Sequence, residues 1–393
     1  MTERHSTDSA TPINVLFDHQ VFASQAYGGV SRIFYELITH LISKKGVRVS
    51  LFQGLHLNRY PLEEFQADYT SYFGRRIVDF PHASFFLKPV NDWLFRHYAR
   101  TQGHHSTRDS IDVYHPTGYS PVVSDWKKSP VVLHVYDTIP ERFPHNFRDI
   151  NVRLENKRRC IERADKIITI SHFVKQDLLN HYRIDPEKIH VIYPGAPTRE
   201  PGMSSDEPLT PYEHFKPYIL YVGTRKQAYK NFEKFLLAYS SSEMLKKNAN
   251  VLCFGGPPLT RFETDIMSMM NSLDNVFHLQ GDDRLLARLY LGASAFVYPS
   301  LMEGFGLPPL EAMTYGCPVI AGNAPAIPEV LGEAAEYFDP ASTESMMASM
   351  ESVLLNDARR QQLIAKGYEQ IKKYSWSLMA DQIHDVYNDL LIK

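Results

Sequence analysis

Short apolar runs, each closed by a glycine or a polar turn, recur along the chain. The first is INVLFD, residues 13–18, which reads as a strand buried on both faces. After a Gly28-Gly29 turn, Ile33, Leu37, Ile38, Leu41 and Ile42 return at helical spacing, and Gly46 stops the pattern. VRVSLF, residues 47–52, is the next strand. Strand, turn, helix and strand in that order open a doubly wound parallel sheet. IDVYHP (111–116), PVVLHVYD (130–137), KIITIS (166–171) and KIHVIYPG (188–195) continue it, separated by helical patterns such as 151–164.

Residues 194–217 are rich in Pro, Ser and Gly, lack periodicity and interrupt the alternation. It restarts with YILYVG (218–223), NVLCFGG (250–256), NVFHLQG (275–281), SAFVYPS (294–300), CPVIAG (317–322) and AAEYFD (334–339). Two α/β domains are therefore expected, at 1–195 and 218–372, with a linker over 196–217 and an amphipathic helix in 373–393. A chain of 393 residues is longer than one core usually serves.

Composition narrows the class only a little. The chain is 44% hydrophobic and 22% charged, with a formal net charge of -3, so it lacks the basic footprint of a nucleic-acid binder. Cys160, Cys253 and Cys317 are far apart and form no CxxC pair, which suits a reducing compartment. The polar start, MTERHSTDSATP, has no apolar signal core, and no apolar run is long enough to span a membrane. A cytoplasmic protein is expected, free or peripheral at the inner face of the membrane.

The chemistry concentrates in MEGFGLPPLEAMTYGCPV, residues 302–319, where Glu303 and Glu311 flank two glycines and two prolines. Ligands of parallel α/β sheets bind beyond the carboxyl ends of the strands, where SAFVYPS meets this loop. Gly304 and Gly306 let the backbone approach a ligand, and Pro308-Pro309 suits the opening of a helix running from about Pro309 to Tyr315. Free N–H groups at that helix start favour an anion, with a diphosphate as the natural guest. A carboxylate would repel the phosphates but is a strong acceptor for hydroxyls. A nucleoside-diphosphate sugar offers hydroxyls at both ends of its diphosphate, one set on the sugar and one on the ribose. A glycosidase pair is the rival reading, with its carboxylates about 5–9.5 Å apart, and a structural role for both glutamates is the plainer one. Lys230 and Arg225, in a glycine-bounded loop after a strand, suit the charge that develops on a departing diphosphate. No DxD, HExxH or paired His/Cys spacing is present, so no metal and no other cofactor is expected.

The motif resembles the E-x7-E signature of family 4 glycosyltransferases, retaining enzymes of the GT-B fold. GGVSRIFYEL, VYDTIPERFP, ADKIITISHFVKQDLL, KIHVIYPG, ILYVGTRKQAYKNF, AIPEVLGEAAEYFDP and YSWSLMADQIHDVY are similar to family segments in the family's order. The resemblance implies two Rossmann-like domains facing across a cleft, acceptor on the N-terminal one, donor on the C-terminal one, and a last helix crossing back. By position, Glu303 is similar to the glutamate on the donor sugar. Gly304, Phe305, Gly306 and the following Leu307 match the loop along sugar and diphosphate, and Glu311 matches the ribose glutamate. Lys230 matches the diphosphate lysine, with Gly28, Gly29, Gly223 and Thr224 around the donor. Many members have arginine where Thr224 stands, so Arg225 is the expected substitute and Arg32 the next candidate. Many members also have histidine where Tyr136 precedes Asp137; His134, two residues back, is the other candidate on the acceptor side.

The expected reaction is transfer from a uridine diphosphate sugar such as UDP-glucose, with GDP-mannose as the other donor, to a glycan or lipid-linked acceptor in polysaccharide biosynthesis. A GT-B epimerase or phosphorylase and a non-catalytic sugar-nucleotide-binding partner are the rivals. Residues 81–100 interleave Phe85, Phe86, Trp93, Leu94, Phe95 and Tyr98 with Lys88, Arg96, His97 and Arg100. They read as a helix packed on the sheet or as a surface touching a membrane. His104-His105 reads as a solvated loop and Cys317 as a packing residue.

Overall fold

The computed structural model describes residues 11–61, 69–71, 74–77, 83–101, 110–199, 202–203 and 211–392. The N-terminal stretch, His104-His105 and much of the expected linker lie outside them.

In the first half the strands are β1 (Ile13–Phe17), β2 (Val47–Leu51), β3 (Gly54–His56), β4 (Tyr69–Ser71), β5 (Gly74–Arg76), β6 (Val113–His115), β7 (Val132–Val135), β8 (Lys166–Thr169) and β9 (Ile189–Val191). They form a sheet of order β4-β2-β1-β6, a sheet β7-β8-β9 and a small pair β3-β5. A parallel bridge from Tyr114 to Val131 carries the first sheet into the second. Val15 pairs with Val49 on one side and Val113 on the other, all three fully buried. Strands covered on both faces read as continuous apolar runs.

In the second half β10 (Tyr218–Val222), β11 (Asn250–Phe254), β12 (Val276–Leu279), β13 (Ala295–Tyr298), β14 (Val319–Gly322) and β15 (Ala335–Phe338) form one parallel sheet of order β12-β11-β10-β13-β14-β15. Leu220 at its centre lies between Leu252 and Phe296. The chain winds outward from β10 in one direction, then returns to β13 and winds the other way. That reversal opens a crevice at the carboxyl ends of β10 and β13. The first half has its own reversal, between β1 and β6. The fold is therefore two parallel-sheet α/β domains.

The last helix, Trp376–Leu391, belongs to the first domain by packing although it ends the second by sequence. It lies on the Gly29–Ile42 helix and buries Met379, Ile383 and Tyr387. Trp376 presses on Gly195, where a Cβ would come 2.4 Å from the Trp376 nitrogen. Lys44 pairs with Asp381 on the same face. Each buried Met, Ile or Tyr contributes roughly 1.5–3 kcal/mol, so this crossing is a firm tether. Among the described residues no helix is long and apolar enough to cross a membrane.

Candidate active site

The loop after β13 closes against the first domain. Gly304 lies so near the end of β7 that a Cβ on it would sit 1.9 Å from the Tyr136 carbonyl oxygen and 3.3 Å from the Asp137 Cβ. Ser171 Oγ, from the N-cap of the His172–His181 helix, donates to the Gly304 carbonyl at 2.7 Å. Phe305 is buried between Tyr193 and Tyr374, with ring centroids 6.0 and 5.4 Å away. Gly306 has φ +108, a left-handed conformation that glycine adopts freely, and it caps a helix that begins at Leu307, two residues before the expected start. Leu307 Cδ1 lies 3.6 Å from where a Cβ of Gly29 would be, so the glycine turn after β1 and the helix start after β13 face each other.

Glu303 is buried and accepts from Lys230 Nζ at 2.7 Å. Lys230 ends a 3-10 turn after β10, and Asn231 fastens that turn to the carbonyls of Pro299 (3.1 Å) and Pro340 (2.8 Å). The ammonium also lies 5.3 and 5.9 Å from the Tyr229 and Tyr298 ring centroids. Across the cleft, burial holds the Asp137 carboxyl above its ordinary range. Lys157 opposes that shift and the Glu303 charge adds to it. Lys157 donates to the Asp137 carbonyl at 2.7 Å and to Glu141 at 2.6 Å.

Glu311 lies one turn along the helix from Leu307. It accepts from Arg32 Nη1 at 2.9 Å and from the Tyr290 hydroxyl at 3.3 Å. Burial raises its pKa and Arg32 works against the rise. The two glutamates thus flank the loop, and each is held by a cation.

Arg225 goes elsewhere. Its side chain is 1% exposed; Nε bonds Glu263 at 3.0 Å, Nη1 the Gly255 carbonyl at 3.3 Å and Nη2 the Pro257 carbonyl. Glu263 is itself half of a capping box with Thr260. The guanidinium therefore knits the loops after β10 and β11 together, beside Gly223 (φ +125) and Thr224, whose carbonyl accepts from the Tyr221 hydroxyl. Freeing it would leave the buried Glu263 charge unpaired, a cost of about 3–5 kcal/mol.

His134 and Tyr136 share a face of β7 and its end, rings stacked 5.3 Å apart at 13°. His134 Nδ1 is 3.2 Å from His115 Nε2, and His115 Nδ1 is 2.6 Å from the Tyr387 hydroxyl. Burial pushes His134 down to about 3 and His115 well below the ordinary range, so both rings are neutral. His134 Nε2 and the Tyr136 hydroxyl are buried without partners among the described residues. Gly28, extended at φ 171, caps the Gly29–Ile42 helix. The described residues contain no His/Cys/Asp/Glu group able to hold a metal.

The structure brings Lys230, Glu303, Gly304, Tyr136 and Asp137 to one place and Glu311 beside them with Arg32. Sequence reasoning assigned no part to Ser171, Lys157, Tyr290 or Glu329. Glu329 accepts from the His172 and Phe173 amides at 2.7 and 3.0 Å and from the Tyr193 hydroxyl at 2.9 Å. Its PEVL context lay in plain view, but its partners lie more than a hundred residues away.

Paired parallel-sheet domains with a glycine loop and two carboxylates at their junction define a two-domain GT-B architecture. Over 96% of its length the chain superposes on 99% of sucrose-phosphate synthase from Thermosynechococcus elongatus, with TM-score 0.72 and 19% identity. Residues 27–200 match the profile described as Glycosyltransferase Family 4, and residues 211–370 match Glycosyl transferases group 1. The chain belongs to the family 4 glycosyltransferases. It is 27% identical over 383 residues to O-antigen chain mannosyltransferase B of Escherichia coli, covering 91% of this chain and 95% of that one. It is also 29% identical over 291 residues to the serotype-specific mannosyltransferase WbdA of the same organism, covering 68% of this chain and 34% of that longer protein.

Proposed function

We propose that this glycosyltransferase moves mannose from GDP-mannose to a glycan or lipid-linked acceptor in polysaccharide biosynthesis, with retention at the anomeric carbon. The observation that carries the reading is the Lys230–Glu303 pair, set at the sheet's reversal beside a helix start and facing Tyr136 and Asp137. The choice of mannose, and so of guanosine over the uridine expected from sequence, is supported by the names of the mannosyltransferase relatives.

In this reading the second domain, residues 218–372, holds the donor and the first, residues 1–195, the acceptor. Glu303 accepts hydrogen bonds from sugar hydroxyls and Glu311 from ribose hydroxyls. Gly304, Phe305, Gly306 and Leu307 lay backbone along the diphosphate, with Gly28, Gly29, Gly223 and Thr224 around it. Lys230 and the helix start at Leu307 offset the charge on the departing phosphate oxygen without a metal. The acceptor oxygen arrives on the face the diphosphate leaves, and its proton passes to the departing phosphate oxygen as the bond from that oxygen to the anomeric carbon breaks. His134, Tyr136 and Asp137 border the acceptor side.

The Ala83–Thr101 helix supports peripheral contact with an anionic lipid surface. Val90 and Trp93 are 45% and 65% exposed on one stripe, while Leu87, Phe95 and Tyr98 are buried on the other. Lys88, His97 and Arg100 are exposed along the same helix. Co-sedimentation with anionic but not zwitterionic vesicles, lost in Trp93→Ser, is the expected result.

The donor reading is tested by thermal shift and transfer assays with GDP-mannose, GDP, UDP-glucose and UDP. Stabilisation by the guanosine compounds and transfer from GDP-mannose are expected. Transfer from UDP-glucose alone would overturn the donor assignment, and no response to any of the four would overturn the site.

A further inference from the structure

We propose that Arg32, from the first domain, is a direct ligand of the donor diphosphate, and that its bond to Glu311 is the contact the donor exchanges. The inference rests on the donor reading above and adds a residue to it.

Arg32 stands on the first turn of the Gly29–Ile42 helix, its amide bonded to the Gly28 carbonyl at 2.9 Å. Gly29 of that same turn faces Leu307, the first residue of the helix whose free amides suit a diphosphate. From there the guanidinium crosses the cleft to Glu311 at 2.9 Å, with Glu36 behind it at 4.0 Å. The pair is only partly buried, at 23% and 12% side-chain exposure, so an incoming ligand reaches it. The Arg225–Glu263 pair is closed, at 1% and 6%. The cation expected at Arg225 is thus tied up, and a different guanidinium stands where the diphosphate is read to lie.

The chemistry of the exchange balances. The cleft holds two carboxylate–cation pairs, Lys230–Glu303 and Arg32–Glu311. In each, the carboxylate is the group suited to hydroxyls and the cation the group suited to phosphate oxygens. A guanidinium binds phosphate through parallel charge-assisted bonds, and a carboxylate is satisfied by a ribose diol. When the donor enters, each group trades one charged or polar partner for another, and no buried charge is left alone. Because Arg32 and Glu311 belong to different domains, the donor also becomes the bridge between them.

A strut that merely joins the two domains would use the same 2.9 Å bond, so the test must separate the two roles. Guanosine, GMP and GDP, or the uridine series if uridine is the base bound, are titrated calorimetrically into wild type, Arg32→Ala and Arg32→Lys. A phosphate ligand predicts a loss that grows along the series. Guanosine is unchanged or tighter because Glu311 is freed, and GDP is weaker by about 10–100-fold, as befits a lost hydrogen bond to a charged group. Arg32→Lys recovers part of the GDP affinity and none of any change for guanosine. A strut predicts one common factor for all three compounds, and that outcome overturns the proposal. Should Arg32→Ala unfold, Arg32→Gln, similar in length and uncharged, carries the same comparison. If wild type binds neither series, the donor site itself is misread; if wild type binds and the variants lose nothing as phosphates are added, only the role of Arg32 falls.

Discussion

Gly304→Ala isolates the contact between the loop after β13 and the first domain. The added Cβ would lie 1.9 Å from the Tyr136 carbonyl oxygen, a separation such atoms essentially never show below 3.0 Å. The obstacle is backbone at the end of a buried strand, so it does not swing aside as a long side chain would. The loop must retreat by about 1 Å, and a misplacement of that size costs on the order of 10²-fold in rate. The Ser171 bond to the Gly304 carbonyl and the Lys230–Glu303 pair depend on the same loop, each at 2.7 Å. Nucleoside diphosphate affinity should change little, since Lys230 and the Leu307 helix start remain in the second domain. The assay is steady-state release of nucleoside diphosphate, with calorimetric binding of the same product. A variant with near wild-type kcat would refute the claim that this approach sets the geometry of transfer. So would a loss confined to KM, which would make Gly304 a binding contact only.

Lys230→Ala should lower transfer by about 10²–10³, the effect of losing a preorganised charge contact worth roughly 2.7–4 kcal/mol. Arg225→Ala should instead lower the unfolding free energy by the cost of orphaning Glu263, about 3–5 kcal/mol; turnover measured beside urea unfolding separates the two. Activity should survive EDTA, and a loss restored by Mg²⁺ or Mn²⁺ would refute the metal-free reading. The part of the stability that comes from the buried neutral His115 and His134 should fall as pH drops from about 6.5 towards 5, against the opposite trend of the raised Asp137 and Glu311 carboxyls. His115 and His134 stay unprotonated in the folded state while the unfolded chain binds protons there. Each contributes about 1.4 kcal/mol per pH unit, and His134→Asn should remove about half of that slope in urea titrations.

The strands were legible because parallel strands covered on both faces must be apolar throughout: INVLFD, VRVSLF and YILYVG fall on β1, β2 and β10 to within a residue. The short strands β3, β4 and β5 have no such run and left no signal. The helix expected from Pro309 starts at Leu307 because Gly306, not a proline, sets the cap. Lys230 and Glu303 were readable as residue types in loops after strands, but their bond joins positions 73 apart, and the Arg32–Glu311 bond joins positions 279 apart. Arg225 shows the limit of reading by type. Its position after a glycine loop suggested phosphate, and only the fold brings Glu263 beneath it. Side-chain chemistry is local, whereas partner choice depends on which loops the two sheets bring together.

The contacts joining the two domains divide by strength. The Trp376–Leu391 helix is tied to the first domain by buried apolar side chains, and opening that seam would expose Met379, Ile383 and Tyr387 to water. The cleft is closed by polar bonds, Ser171 to Gly304, Glu329 to the amides of His172 and Phe173 and Arg32 to Glu311, beside a smaller apolar contact of Tyr229 and Met302 with Ile139, Phe143 and Phe173. The Arg32–Glu311 pair is partly exposed, so water or a ligand can replace either partner, and pairs of that kind are worth only about 0–1 kcal/mol. A transferase of this kind must admit a nucleotide sugar and release a nucleoside diphosphate in every cycle. A closure as extensive and apolar as the last-helix seam would trap the product, whereas an ion pair at the mouth yields to whichever ligand satisfies its groups better. The large apolar seam at the last helix and the exchangeable ion pair at the mouth together let one chain hold its domains in register and still turn over.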